Sequence, residues 1–224
     1  MDVVEDILGL FIPQDMPYLQ IEKPDGTKTP HYSDLEAKKD YPVDVLINEG
    51  SASASEILAV AMKEAGYEVL GETSYGKGTV QNAVPIAEDG SAVKLTIMKW
   101  LSPEGNWINE VGVEPTIEVK QPDYYYTSPV DIENTLAYDQ TGEKIKNIQV
   151  MLEGLGYDTD RKDGYFSKAT EKAVKAFQKD NSLQVTGEID SETAGQLQQM
   201  VVEKVRNGED DQQMEKALNA LYES

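Results

Sequence analysis

A short run rich in β-branched residues, 43–47, and a second strand-like run, 67–70, bracket a helical stretch, 56–65 (EILAVAMKEA), that is apolar nearly all round and is stopped by Gly66. Strands without polar alternation and a helix without a polar stripe suit burial on several sides. Parallel strands joined by a crossover helix supply that environment. Residues 43–70 therefore predict a βαβ unit. Two small-residue loops, Gly50-Ser51-Ala52-Ser53-Ala54-Ser55-Glu56 and Gly71-Glu72-Thr73-Ser74-Tyr75-Gly76-Lys77-Gly78, follow its two strands. Both then lie at the carboxyl ends of adjacent parallel strands, where open α/β sheets place their functional sites.

Around this unit the pattern changes character. Val3, Val4, Ile7, Leu8 and Phe11 mark one face of a helix stopped by Pro13, and Lys23-Pro24-Asp25-Gly26 reads as a hairpin tip. Residues 80–86 and 93–101 flank Glu88-Asp89-Gly90-Ser91 as a second hairpin. There Val93, Leu95 and Ile97 alternate with Lys94 and Thr96, as a strand with one buried face requires. Residues 116–119 suit a last short strand. Residues 121–135 (QPDYYYTSPVDIENT) lack periodicity and read as a linker, with the tyrosines packing it onto a neighbouring domain.

From 136 to 204 three amphipathic helices are expected, marked by Ile145/Ile148/Gln149/Leu152, Ala169/Ala173/Val174/Phe177 and Thr193/Leu197/Met200/Val201. Residues 163–170 recur imperfectly as 186–193, with Ser167 and Asp190 placed to cap the helices that follow. Residues 205–224 form an acidic, weakly amphipathic tail, expected to attach loosely. The expected architecture is thus a mixed α/β core (1–120) with a βαβ unit and hairpins, a linker (121–135), a small all-α three-helix domain (136–204) and a tail helix.

Composition narrows the chemistry. The 224 residues include 41 acidic and 20 basic side chains, one His and no Cys. A net charge of −21 argues against nucleic acid as a partner. Without Cys there are no disulfides, zinc ribbons, iron–sulfur clusters or thiol nucleophiles, and a lone His rules out HExxH metallopeptidases. No apolar run is long enough to span a membrane. No cofactor or metal is implied.

GETSYGKG matches G-x-x-x-x-G-K, but Gly78 stands where a phosphate loop needs a hydroxyl, and Thr79-Val80-Gln81 continues as strand instead of helix. The 158–164 segment (DTDRKDG) looks calcium-like, yet Lys162 occupies a ligand position and Ala169 stands where a bidentate Glu belongs. Ser53-x-x-Glu56 before an apolar run is a capping box. The alternative makes Ser53 a nucleophile at a helix N-terminus, where backbone N–H groups can bind a developing oxyanion. His31 sits in a polar turn and is a poor base for it. Lys77 can serve as base, with Gln81 four residues on reaching the same face to hold the amine. Trp100 and Trp107 flank a turn and read as hairpin packing.

At this point the residues carry a resemblance. The stretch Asn48 to Ile57 with Gly76-Lys77-Gly78-Thr79-Val80-Gln81 resembles the carboxyl-terminal processing (tail-specific) serine proteases. Asp89-Gly90-Ser91, Lys94-Leu95-Thr96, Pro103-x-Gly105 and Gly112-Val113-x-Pro115 are similar to later motifs of that family. The resemblance covers residues 1 to about 120. It implies Ser53 as nucleophile, Lys77 as general base, Gln81 as the residue orienting that base, and protein or peptide substrates. Residues 136 to about 204 resemble the peptidoglycan-binding type 1 module, through Ile148-Gln149-x-x-Leu152, Leu155-Gly156-Tyr157, Asp163-Gly164-x-Phe166 and Phe177-Gln178. Together they imply a peptidoglycan partner and an extracytoplasmic setting: secreted, membrane-anchored in a full-length form, or associated with the cell wall. Family members usually carry a signal or anchor, a PDZ domain and a Gly-rich loop that gives a second oxyanion N–H, none of which is in this sequence. The expectation is a truncated protease with Ala54 as the nameable oxyanion donor and turnover reduced by about 10²–10³ for the missing one. The alternative is a non-catalytic fragment that binds peptidoglycan or a partner.

Overall fold

A computed structural model describes residues 2–222. The chain forms two compact units: residues up to Lys120 together with those from Gln213 onward, and Gln121–Gln212.

The first unit opens with α1 (Asp2–Leu8), β1 (Pro17–Glu22), β2 (Lys28–Tyr32) and β3 (Asp44–Ile47). It continues through α2 (Ala54–Glu64), β4 (Glu68–Gly71), β5 (Thr79–Pro85), β6 (Ala92–Leu101) and β7 (Ile117–Glu118). Four strands make an antiparallel sheet in the order β2-β1-β6-β5, and three make a parallel sheet in the order β3-β4-β7. The βαβ unit is formed by β3, α2 and β4, with Asp44 paired to Glu68 and Ile47 to Gly71 in parallel register. The absence of a polar stripe on α2 has its cause in packing: Ile57, Ala59, Val60, Ala61 and Met62 are all buried. They join Leu8, Ile12, Leu19, Val69 and Trp100 in one core.

Several elements depart from the sequence pattern. α1 ends at Leu8, well before Pro13, and buries Val4 and Leu8 while Val3 and Ile7 stay exposed. β3 lies at a sheet edge, so of its residues only Ile47 is buried and Leu46 faces out. The β5–β6 hairpin forms, but the expected buried face of β6 does not. Val93 and Leu95 are exposed, and burial along the strand is reached only at Trp100 and Leu101. The hairpin outruns the core beneath it, and alternation alone carries no information about that length.

In the second unit a short 3-10 turn (Asp123–Tyr126) precedes α3 (Glu143–Gly154), α4 (Lys168–Asp180) and α5 (Ser191–Arg206). Residues 121–135 are integral to this unit, with Tyr124, Val130 and Ile132 in its core. The repeat has a shared device. Buried Gln149 on α3 receives the Gly164 N–H (3.0 Å) and donates to Tyr165 O (2.7 Å) and Thr170 Oγ1 (3.0 Å). Gln178 on α4 receives the Gly187 N–H (2.9 Å) and donates to Glu188 O (2.9 Å) and Thr193 Oγ1 (3.2 Å). Each buried amide thus clamps the loop ahead of the next helix. Ser167 accepts from the Ala169 and Thr170 N–H groups, and Asp190 from that of Thr193, so both expected caps are present.

The tail corrects the expectation of loose attachment. Its helix α6 (Gln212–Tyr222) returns to the first unit, where Gln213 and Ala217 are buried and Gln213 Nε2 donates to Val119 O at 3.0 Å. Among the described residues no helix is long and apolar enough to cross a membrane.

Candidate active site

Ser53 sits at the turn from the β3 loop into α2 with φ 56° and ψ −109°. A residue with a side chain rarely holds a positive φ, and when it does the strain of about 1–3 kcal/mol is sustained by its surroundings. A sharp strand-to-helix turn of this kind lifts a hydroxyl clear of the sheet. Ala54 is the first residue of α2, so its N–H has no acceptor within the helix and lies where the helix dipole is positive.

The surroundings that sustain the turn centre on Glu56. Its side chain is fully buried. Oε2 accepts the N–H groups of Ser53 and Lys77, each at 2.8 Å. Oε1 accepts the Ser74 hydroxyl and the Gly76 N–H, each at 2.6 Å. One carboxylate therefore fastens the Ser53 turn to the loop after β4. A Tyr75 N–H to Ser51 O bond (2.9 Å) joins the same two loops, and Ser74 Oγ in turn accepts the Val113 N–H at 2.7 Å. The capping box foreseen for Ser53 and Glu56 is present, but the carboxylate does more than cap the helix.

The backbone on either side of Lys77 is held just as firmly. The Trp100 indole donates to Lys77 O (2.9 Å), the Trp107 indole to Gly78 O (2.8 Å), and Asn109 Oδ1 accepts the Gly78 N–H (3.1 Å). Glycine is required at both flanks. Gly76 has φ +87°, and a Cβ there would lie 3.0 Å from the backbone nitrogens of Glu110, Val111 and Gly112. A Cβ at Gly78 would meet the Trp107 indole nitrogen at 2.8 Å. The two tryptophans are thus hairpin residues whose N–H groups fix the Lys77 loop.

Ser53, Lys77 and Gln81 line one cleft of about 220 Å³, floored by Ile57 and Trp100. Ser53 and Lys77 are half-buried and Gln81 is exposed. Among the described residues, no hydrogen bond joins these three side chains to one another. The position of Gln81 depends on a bulge. Val80 pairs with Met98 and Gln81 with Thr96, so the extra residue, Ile97, is on β6 and β5 keeps its own alternation. His31 is on β2, with its ring 6.2 Å from that of Tyr18. Among the described residues no group of three His, Asp or Glu is arranged to hold a metal.

The model of peptidase family S41 matches residues 1–119. This chain belongs to peptidase family S41. A second model, of a domain described as peptidoglycan binding, matches residues 141–197. The chain is 51% identical to the carboxy-terminal processing protease CtpB of Bacillus subtilis (strain 168) over 98% of its length, covering 46% of that protein. It is 37% identical to CtpA of the same organism over 95% of its length, covering 45% of that protein. It therefore spans a little under half the length of these relatives. Among solved structures, the photosystem II D1 C-terminal processing protease matches with 30% identity and a TM-score of 0.49, over 53% of this chain and 31% of that one.

Within this S41 core the sequence pattern pointed to Ser53, Lys77, Gln81 and Ala54 but gave Glu56 only a capping role. Its partners Ser74, Gly76 and Lys77 lie 18, 20 and 21 residues away, beyond any local signal. The one available hint was a Glu facing into a helix otherwise apolar all round.

Proposed function

We propose that this chain is a serine endopeptidase of the carboxyl-terminal processing type, working through a Ser53/Lys77 dyad. The observation that carries the reading is the single cleft lined by Ser53, Lys77 and Gln81 at the N-terminus of α2. Ser53 Oγ attacks the peptide carbonyl carbon while the Lys77 amine takes the hydroxyl proton. The Ala54 N–H donates to the oxyanion as the tetrahedral intermediate forms. Lys77 then delivers the proton to the departing amine, leaving an acyl-enzyme on Ser53. Water adds with Lys77 again accepting a proton, which releases the acid and restores the hydroxyl. Gln81 orients the lysine amine. Glu56 takes no part in proton transfer, because its two oxygens are occupied by four donors; it holds the nucleophile turn and the base loop in one geometry.

The second unit, by the same proposal, holds the chain at peptidoglycan, which puts its action on protein substrates outside the cytoplasmic membrane. The match of residues 141–197 supports this. Two experiments test the pair of assignments. Casein cleavage by the chain is expected to disappear in Ser53→Ala and in Lys77→Ala. Sedimentation with purified peptidoglycan is expected for the wild-type chain and for Ser53→Ala alike. Cleavage that survives Ser53→Ala removes the dyad; a chain that stays in the supernatant removes the wall assignment.

A further inference from the structure

Lys94 has no part in the chemistry above, yet it lines the same cleft. It pairs across the hairpin with Ala83, which makes it the diagonal neighbour of Gln81, the partner of Thr96. Diagonal neighbours on one face of an antiparallel pair are about 7–8 Å apart, within reach of a long side chain. The cleft lining holds Lys94 beside the base Lys77 and no carboxylate, on a chain of net charge −21. Glu56, behind the cleft, is buried with both oxygens occupied by donors.

Lys94 also differs from the other lysine on its strand. Lys99 pairs with Glu22 and lies over the Trp107 ring. Among the described residues Lys94 has no carboxylate within ion-pair distance and no hydrogen-bonding partner. An unpaired cation in a cleft without acidic lining attracts an anionic group from the occupant.

We infer that Lys94 is a specificity-determining residue, taking a carboxylate of the peptide substrate in the cleft it shares with Ser53. The inference rests on the Ser53 reading for where that bond lies. The carboxylate has two sources, an Asp or Glu side chain or the peptide's own C-terminus, which present the same anion to the ammonium.

The test is peptide binding to the full chain carrying Ser53→Ala, so that nothing is turned over. Fluorescein-labelled peptides of one casein-derived sequence with a single Glu, or Gln in its place, are made as C-terminal acid and as amide, and titrated by anisotropy. The peptide with both carboxylates is expected to bind about fivefold more tightly than the one with neither, the scale of an exposed ion pair. Adding Lys94→Gln brings that ratio to about one, and Lys94→Arg keeps it. High salt narrows it. Sensitivity to Glu against Gln assigns the side chain; sensitivity to acid against amide assigns the C-terminus. A ratio unchanged by Lys94→Gln, or no binding by any of the peptides, overturns the inference. Failure of the Ser53 reading shows separately, as the absence of a fluorophosphonate adduct on Ser53 in the wild-type chain.

Discussion

Replacing Glu56 by Gln keeps the shape of the side chain and changes one acceptor oxygen into an N–H₂ donor. In the native site all four groups around the carboxylate are donors: the N–H groups of Ser53 and Lys77 at Oε2, the Ser74 hydroxyl and the Gly76 N–H at Oε1. At Oε2 an amide nitrogen would face two backbone donors with no relief. At Oε1 the Ser74 hydroxyl can turn to accept, but the Gly76 N–H is left facing another N–H. The lower-cost orientation therefore loses the Gly76 bond outright and turns the remaining charge-assisted bonds into neutral ones. Hydrogen bonds to a charged group are worth about 1.5–3 kcal/mol each and neutral ones about half that. The site is fully buried, so water does not repair the loss. The net cost is about 2–4 kcal/mol, which lowers the melting temperature of a unit of this size by roughly 10 °C. Function should suffer at temperatures where the fold survives. A shift of about 1 Å in the Lys77 loop relative to Ser53 costs about a hundredfold in rate. Calorimetry and the rate of fluorophosphonate labelling at 20 °C measure the two effects. A Glu56→Gln chain that melts with wild type and labels at the wild-type rate would refute the argument that this carboxylate builds the site.

Three further outcomes follow from the same geometry. Ser53→Gly should abolish activity while raising stability by about 0.5–1 kcal/mol, because glycine relieves the positive φ at a smaller entropic cost; Ser53→Ala, which keeps the strain, should not. Thermal unfolding of both variants checks this. Gln149→Leu leaves the Gly164 N–H and the Tyr165 carbonyl without their partner in the second unit and should cost about 2–4 kcal/mol, read as a shift of that unit's transition alone. On the same unit, hydrogen bonds from Lys168 and then Lys175 hold the Glu171 carboxyl down at about 2, and the Arg161 hydrogen bond holds Asp163 at about 2. Acids with depressed folded values stabilise above their unfolded range and lose that contribution as pH falls through the folded one. The transition should drop between about pH 5 and pH 2, and less steeply in Glu171→Gln, as circular dichroism melts across that range would show.

What the sequence disclosed and what it withheld divide along the range of the interactions. The βαβ unit was legible because its strands and helix are contiguous and their apolar patterns differ from the hairpins around them. Ser53, Lys77 and Gln81 stood out because each sits in a short loop or strand of unusual composition, and the fold lines one cleft with them. The second role of Glu56 was hidden, since a capping box already explained the residue locally. Val93 and Leu95 read as core because alternation looks the same whether or not an opposing layer exists to cover it. The amphipathic tail declared that it had an apolar face but not that Gln213 and Ala217 would be buried in the first unit. Gln149 was visible as a polar residue on an apolar helix face, and Gln178 only through the resemblance of its segment to the peptidoglycan-binding module. Their clamps became evident only once Gly164 and Gly187 were placed beside them.

The central claim, that Ser53 is a nucleophile activated by Lys77, is tested most directly by mass spectrometry after exposure to a fluorophosphonate probe. The account predicts one adduct, carried by the proteolytic fragment that contains Ser53 and assigned to that residue by fragmentation. It should form at least a hundredfold more slowly in Lys77→Ala. An adduct on Ser51, Ser55 or Ser74 instead, no adduct at all, or an equal rate without the lysine would contradict it.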